Sequence, residues 1–396
     1  MSEPITDLIH HPYQPPGKFA APLPGIFKAS TVFFADVAAM RARDWKTKAG
    51  YTYGLHGTPT TFTLEERLAT LEGGTHCLLV PSGLAAIALV SFAFLKAGDE
   101  VLLPDNAYGP NKALAAGELA NFGIAYRTYD AMNPGDLAAK LSQRTKLVWL
   151  EAAGSVTMEF PDLPALVGIC RARGVITALD NTWGAGLAFA PFDFHGSGQG
   201  VDVSVHALTK YPSGGGDVLM GSVVTRDDGR LHQALKLTHM RMGYGVGVGD
   251  VETLLRSLPS IALRYAAHDR AARELARWLG TRDEIVQVLH PAMAGSPGHA
   301  NWRALCGATD LAAGLFSVVF DERFSNEQVD RFCDGLRLFR LGYSWGAPLP
   351  GRASGATWPH PTTDTKSVRK NWPRRRRRKK SCATRPVASS APAARD

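Results

Sequence analysis

Between residues 62 and 180 this chain alternates two hydrophobic periods, and the alternation leaves it few folds to adopt. Residues 62–71, 83–95, 110–122 and 163–173 repeat apolar side chains at three- and four-residue spacing and read as helices. Residues 77–80, 100–103, 124–129, 146–151 and 175–180 are short apolar, β-branched runs and read as strands. Parallel strands need a long crossover, normally a helix, so this order predicts an α/β fold with a mostly parallel sheet covered on both faces. In such sheets ligands gather at the carboxyl ends of the strands.

Two strand ends carry chemistry. Leu179-Asp180-Asn181-Thr182-Trp183 finishes one apolar run with a carboxylate, and Asp202-Val203-Ser204-Val205-His206-Ala207-Leu208-Thr209-Lys210 finishes another with an amine. Pyridoxal phosphate needs that pair. A lysine condenses with its aldehyde, and an aspartate keeps its pyridine nitrogen protonated. Alone, an aspartate at a strand end is an ordinary turn residue and a lysine after a threonine an ordinary surface residue. The order of the whole set gives them meaning.

Other residues join them. Val80-Pro81-Ser82-Gly83 opens an apolar helix, so Ser82 and Gly83 stand where free N–H groups and the helix dipole attract an anion. Taken singly, Ser82 is a helix cap. Tyr108 follows the next strand and offers a ring to stack on a flat cofactor. Thr209 precedes Lys210 and offers a hydroxyl to phosphate. Tyr53, in Gly50-Tyr51-Thr52-Tyr53-Gly54, is too far upstream to belong to the sheet and reaches a site only as part of an arm. Four alternating glycines in 242–250 do not match a dinucleotide loop, since no strand leads into them and the spacing is wrong. They read as a mobile loop.

Charge and cysteine usage narrow the class. The chain has 396 residues and a net charge of +8, but residues 347–396 hold 13 of its 44 Lys and Arg and only two acids. The tail is therefore strongly basic and the body mildly acidic, so the overall charge does not imply a nucleic-acid-binding domain. Five scattered cysteines fit neither a disulfide framework nor a zinc site, and no metal is expected. No apolar run reaches the roughly 18 residues of a spanning helix, and Met1-Ser2-Glu3-Pro4 does not begin a signal pattern, so a cytoplasmic protein is expected.

Taken together these segments resemble the Cys/Met-metabolism family of pyridoxal-phosphate enzymes, over roughly residues 50–346. Gly154-Ser155-Val156-Thr157-Met158-Glu159, Asp180-Asn181-Thr182-Trp183-Gly184-Ala185-Gly186, Tyr343-Ser344-Trp345-Gly346 and the run from Pro291 to His299 are similar to its β-lyase branch. The γ-lyase and synthase relatives usually carry other residues at Trp183 and Trp345. The resemblance implies a fold-type I transferase-like architecture and α,β-elimination of cystathionine to homocysteine, pyruvate and ammonia. A broader cysteine-S-conjugate β-lyase or desulfhydrase shares that chemistry. The resemblance further implies pyridoxal 5'-phosphate bound at Lys210, with Asp180 on the pyridine nitrogen and Tyr108 on the ring. It places Ser82, Gly83, Leu84 and Thr209 around the phosphate, and Ser344 and Trp345 at the substrate carboxylate. It also implies a homodimer or homotetramer with shared sites, to which Tyr53 is contributed by a neighbouring subunit.

The expected organisation is an arm at 1–57, a cofactor-binding α/β domain at 58–250, a truncated α+β domain at 251–346, and a disordered basic tail at 347–396. Two departures from the family stand out. Leu55, in Tyr53-Gly54-Leu55-His56-Gly57-Thr58, occupies the place of an arginine that clamps phosphate, a role His56 is expected to fill in part. After Gly346 the family's arginine-bearing strand and long helix give way to Ala347-Pro348-Leu349-Pro350-Gly351 and then a run of arginines and lysines, which reads as a change of reading frame. Arg352 has no strand to aim it. Weak turnover is expected for that reason, and a cofactor-binding protein without catalysis, with a polyanion-binding tail, is the reading from another class.

Overall fold

The computed structural model describes residues 23–226, 229–342, 344 and 345. In chain order the main elements are helix α1 (Pro59–Glu72), strand β1 (His76–Val80), α2 (Gly83–Phe94), β2 (Glu100–Pro104), α3 (Gly109–Leu114), β3 (Ala125–Tyr129), α4 (Pro134–Lys140), β4 (Thr145–Glu151), α5 (Leu163–Ala172), β5 (Ile176–Asp180), β6 (Val203–Ala207) and β7 (Gly221–Thr225). They are followed by α6 (Arg230–Met242), α7 (Val248–Ser257), α8 (Ile261–Leu279), β8 (Ile285–Leu289), α9 (His299–Cys306), β9 (Ser317–Phe320) and α10 (Asn326–Asp334).

Local signals set several boundaries. Pro59 starts α1 behind a capping box of Thr58 and Thr61, and Gly73 ends it in a left-handed conformation at φ 73°. Ser82 caps α2 by accepting from the Ala85 N–H. The amphipathic stretch 251–280 is two helices rather than one, because Pro259 has no N–H to donate and sits in a 3₁₀ turn, Leu258–Ser260, between α7 and α8.

Seven strands form one sheet in the order β1-β7-β6-β5-β4-β2-β3. Strands β3, β2, β4, β5 and β6 run parallel; β7 runs antiparallel to both β6 and β1. This is the mostly parallel sheet that the alternating periods predict. The strand β7 is the one the sequence reading lacks. Strands β8 and β9 form a separate antiparallel pair.

Side chains alternate across the large sheet and bury on both faces. Leu78, Val80, Val101, Leu103, Leu147, Trp149, Ala178, Val203 and Val205 meet Ile87 and Leu89 of α2 and Leu235 of α6. Cys77, Leu79, Leu102, Val148, Leu150 and Leu179 meet Leu64 and Leu68 of α1, Leu166 of α5, Leu254 of α7 and Tyr265 of α8 on the other face. Burial on both sides explains why these strands read as continuous apolar runs. All the described residues lie within one compact unit.

Candidate active site

Asp180 is the last residue of β5, and β6 runs beside it in parallel with Val205 opposite Asp180. The chain leaves β6 at Ala207 and reaches Lys210 three residues later, so both groups stand at the carboxyl edge of adjacent central strands. The Thr182 N–H donates to Asp180 Oδ1 at 3.1 Å, and the Ala207 N–H donates to Thr182 Oγ1 at 2.9 Å. Thr182 thus ties the loop after Asp180 to the one that leads into Lys210.

The Lys210 amine is enclosed. It donates to Ser344 Oγ and lies 4.9 Å from the centre of the Trp345 ring. Trp345 in turn packs against Tyr211 at 5.9 Å between ring centres. Sequence reading gave Ser344 and Trp345 no local reason to meet Lys210; the tertiary fold brings them together across more than 130 residues. Burial lowers the Lys210 pKa to about 8, with the Asp180 charge opposing. Burial pushes the Asp180 carboxyl above its ordinary range, against the pull of its Thr182 hydrogen bonds and of His206 and Lys210.

The turn before α2 is built for close approach. A Cβ on Gly83 would lie 2.7 Å from Cβ of Ala207, and one on Gly221 would strike the Ser82 carbonyl. Glycine at both places lets the start of α2 sit directly on β6 and β7. Ser82 Oγ caps Ala85, and the N–H groups of Gly83 and Leu84 belong to the first turn, where a helix has no internal acceptors. Thr209 Oγ1 makes long contacts of 3.4 and 3.5 Å to the backbone of Met220.

Tyr108 precedes α3 beyond the end of β2 and is 40% exposed. Its backbone N–H donates to Glu151 Oε2 at 2.7 Å. Glu151 was not among the expected site residues. The signal for it is the same as for Asp180: an acid that ends an apolar strand. The 154–159 segment packs against the same loop. Val156 and Met158 adopt left-handed φ values of 66° and 53°, which non-glycine residues rarely do, and such strain gathers at functional sites.

The arm departs from this cluster. Tyr53 bridges to Thr31, packs its ring edge-on to His56 at 5.8 Å, and is 46% exposed. His56 Nδ1 lies 2.7 Å from Thr52 Oγ1, and burial followed by the charges of Lys236 and Arg43 lowers its pKa. That weakens His56 as a cation for phosphate. Leu55 reaches the glycine-rich loop after α6, with Cδ1 3.3 Å from where a Cβ on Gly245 would stand. Arg352, the tail, Tyr343 and Gly346 lie outside the described residues.

A family model described as the Cys/Met metabolism PLP-dependent enzyme matches residues 5–366. The chain belongs to that family. The cystathionine beta-lyase of Bordetella avium is 38% identical over 336 residues, covering 84% of this chain and 81% of that protein. The cystathionine beta-lyase of Escherichia coli is 35% identical over 325 residues, covering 81% and 80%. The L-alanine/L-glutamate racemase of Wolbachia pipientis is 32% identical over 296 residues, covering 75% and 70%. Among solved structures, the cystathionine gamma synthase of Xanthomonas oryzae pv. oryzae matches with a TM-score of 0.75 and 30% identity, covering 84% of this chain and 81% of that one. The architecture is accordingly that of fold-type I PLP-dependent enzymes.

The residues present fit the family's cofactor. Lys210 supplies an amine, Asp180 a carboxylate for a pyridinium nitrogen, Tyr108 a ring, and the start of α2 with Ser82 and Thr209 a set of phosphate donors. The tight contacts at Gly83 and Gly221 seat the N-terminus of α2, with its free N–H groups, on the carboxyl edge of β6, on the side of Lys210. Leu55 is apolar and offers phosphate no charged contact.

Proposed function

We propose that the chain is a cystathionine β-lyase, cleaving cystathionine to homocysteine, pyruvate and ammonia in the cytoplasm. The observation that carries this reading is the pairing of Lys210 and Asp180 at adjacent strand ends, with Ser344 and Trp345 closed over the amine. Bound PLP supplies an electron sink for negative charge developing at the substrate α-carbon. The chain supplies the rest. Asp180 holds the ring nitrogen charged, Tyr108 covers the ring, and Ser82, Gly83, Leu84 and Thr209 hold the phosphate. With the cofactor bound, the Lys210 amine would be the group placed to take the α-proton at Nζ. A general base works best with a pKa near the working pH, and burial brings Lys210 there. Ser344 and Trp345 orient the substrate over it.

The test has two parts. Borohydride treatment of the PLP-loaded protein should fix the cofactor to the peptide containing Lys210, and to none in Lys210→Ala. Cystathionine should then yield pyruvate and homocysteine in equal amounts. Faster turnover of cystine or cysteine would make the chain a broader cysteine-S-conjugate β-lyase. Racemised alanine without pyruvate would place its activity with that of the Wolbachia relative. No attachment at Lys210 would end the reading.

A further inference from the structure

The strand-end carboxyl of Glu151 lies in the wall of this site and has no part in the chemistry above. Parallel pairing of β4 and β5 sets Glu151 directly beside Asp180. Paired residues of parallel strands project to the same face, so two carboxyl groups share one corner of the site. Glu151 Oε2 also accepts from the Tyr108 N–H at 2.7 Å. One side chain therefore touches the loop that carries the stacking ring and neighbours the group that serves the ring nitrogen.

The surroundings favour a fixed role. Tyr108 is 40% exposed at the edge of the site, and its backbone N–H is held by Glu151. The loop that carries Tyr108 is also tied twice, through Asn106, to the segment running on from Glu151. The Ser155 N–H donates to the Asn106 carbonyl at 2.9 Å, and Asn106 Nδ2 donates to Glu159 Oε2 at 2.8 Å. Gly154 makes this possible, since a Cβ there would collide with the Asn106 side chain. Glu151 completes the clamp at Tyr108 itself. Burial pushes the Glu151 carboxyl well above the ordinary carboxylate range, and the Asp180 charge pushes it further, against the pull of the Tyr108 N–H, of Lys112 and of the Ser155 N–H.

We propose that Glu151 is a positioning residue of the cofactor site: by accepting the Tyr108 N–H beside Asp180 its carboxyl oxygen fixes the Tyr108 backbone, and so the ring over the cofactor, a task that needs no charge. A second carboxylate there would compete for the pyridinium that Asp180 is to hold. A neutral acid keeps the acceptor and removes the competitor. The inference rests on the assignment of Lys210 as the cofactor lysine.

The experiment compares PLP-loaded wild type with Glu151→Gln and Glu151→Ala. Three readouts are taken: borohydride attachment at Lys210, PLP dissociation constant, and visible circular dichroism of the bound cofactor, which reports how its ring is held. Gln keeps an oxygen acceptor for the Tyr108 N–H and carries no charge at any pH. The expectation is that Gln binds PLP within about twofold of wild type and keeps its dichroism. Ala should bind about tenfold more weakly, as for one lost buried hydrogen bond, and lose much of the dichroic signal. If Gln is as impaired as Ala, the charge is what matters and the proposal is overturned. If Ala binds as wild type does with unchanged dichroism, Glu151 positions nothing, and the proposal is equally overturned. If Ala is too unstable to load, Gln alone decides by matching wild type or not. Failure of wild type itself to attach PLP at Lys210 would instead strike the assignment on which the inference rests.

Discussion

At the scale of single residues, the chemistry turns on how burial moves two pKa values. Lys210 carries an ordinary lysine amine of pKa 10.5 brought to about 8, chiefly by loss of water and despite Asp180. Only the free amine attacks an aldehyde, so its fraction rises as pH rises through that value. The rate at which the cofactor-free protein takes up PLP should therefore climb with pH and level off above about 8, followed by cofactor absorbance after mixing. A rate still climbing steeply near the ordinary lysine value would mean that Lys210 is not shielded as described. Asp180 works through its charge. Asp180→Asn keeps its size and the Thr182 contact but cannot hold the ring nitrogen protonated. We expect PLP still to attach while kcat falls by at least about 100-fold, corresponding to roughly 3 kcal/mol of lost charge stabilisation. Near-normal kcat in that variant would remove Asp180 from its role.

At the scale of elements, what matters is how α1 and α2 are seated on the strands that carry the site. Gly83 lets α2 start against Ala207. Gly83→Ala would force those two apart, and overpacking of this kind costs about 1–3 kcal/mol. Because α2 presents the phosphate donors, PLP affinity should fall along with the melting temperature; a fall in Tm alone would separate α2 from phosphate binding. On the other face, Glu72 at the end of α1 accepts from Ser204 Oγ and, at 3.2 Å, from Asn181 Nδ2, and lies 3.5 Å from His206 Nδ1. All four side chains are buried. This cluster locks α1 to the ends of β5 and β6. Glu72→Ala leaves buried polar partners unmatched and should cost about 1–3 kcal/mol, measured by denaturant unfolding. A loss well below 1 kcal/mol would show that α1 is held by its apolar face alone.

At the scale of the whole molecule, the arm is the element without a home in its own sheet. Phe33 is 94% exposed, and Phe27, Val37, Met40, Tyr51 and Tyr53 also present apolar surface there. Exposed patches of this kind mark contact surfaces. We propose that the arm packs on a second copy of the chain and that Tyr53 completes the neighbour's site, with a homodimer or homotetramer as the working form. Mixing Tyr53→Phe with Lys210→Ala subunits under conditions that exchange them should then restore part of the activity, since a mixed dimer has one site free of both changes. No recovery would mean that each chain builds its site alone. The division at residue 250 into a cofactor-binding domain and a smaller α+β domain remains a proposal on the same scale. Limited proteolysis that releases the 251–346 region intact would support it.

Apolar period alone places β1 to β5, α2 and α5 to within a residue or so; it starts α1 three residues late, runs α3 past Leu114, and does not reveal the short helix α4. The sequence also marked Asp180 and Lys210, because a charged residue that ends a buried strand has few places to go. Strand β7 escaped it, since Gly221-Ser222-Val223-Val224-Thr225 is short and follows a glycine-rich turn. The break at Pro259 was present in the sequence but hidden by the strong helical period on both sides. Only the tertiary structure decided what no local pattern encodes. Parallel register, not sequence spacing, puts Glu151 beside Asp180. Folding of the chain after β9 brings Ser344 and Trp345 onto the Lys210 amine. The pKa of that amine is a property of the enclosure, because it depends on how much water the surrounding side chains displace.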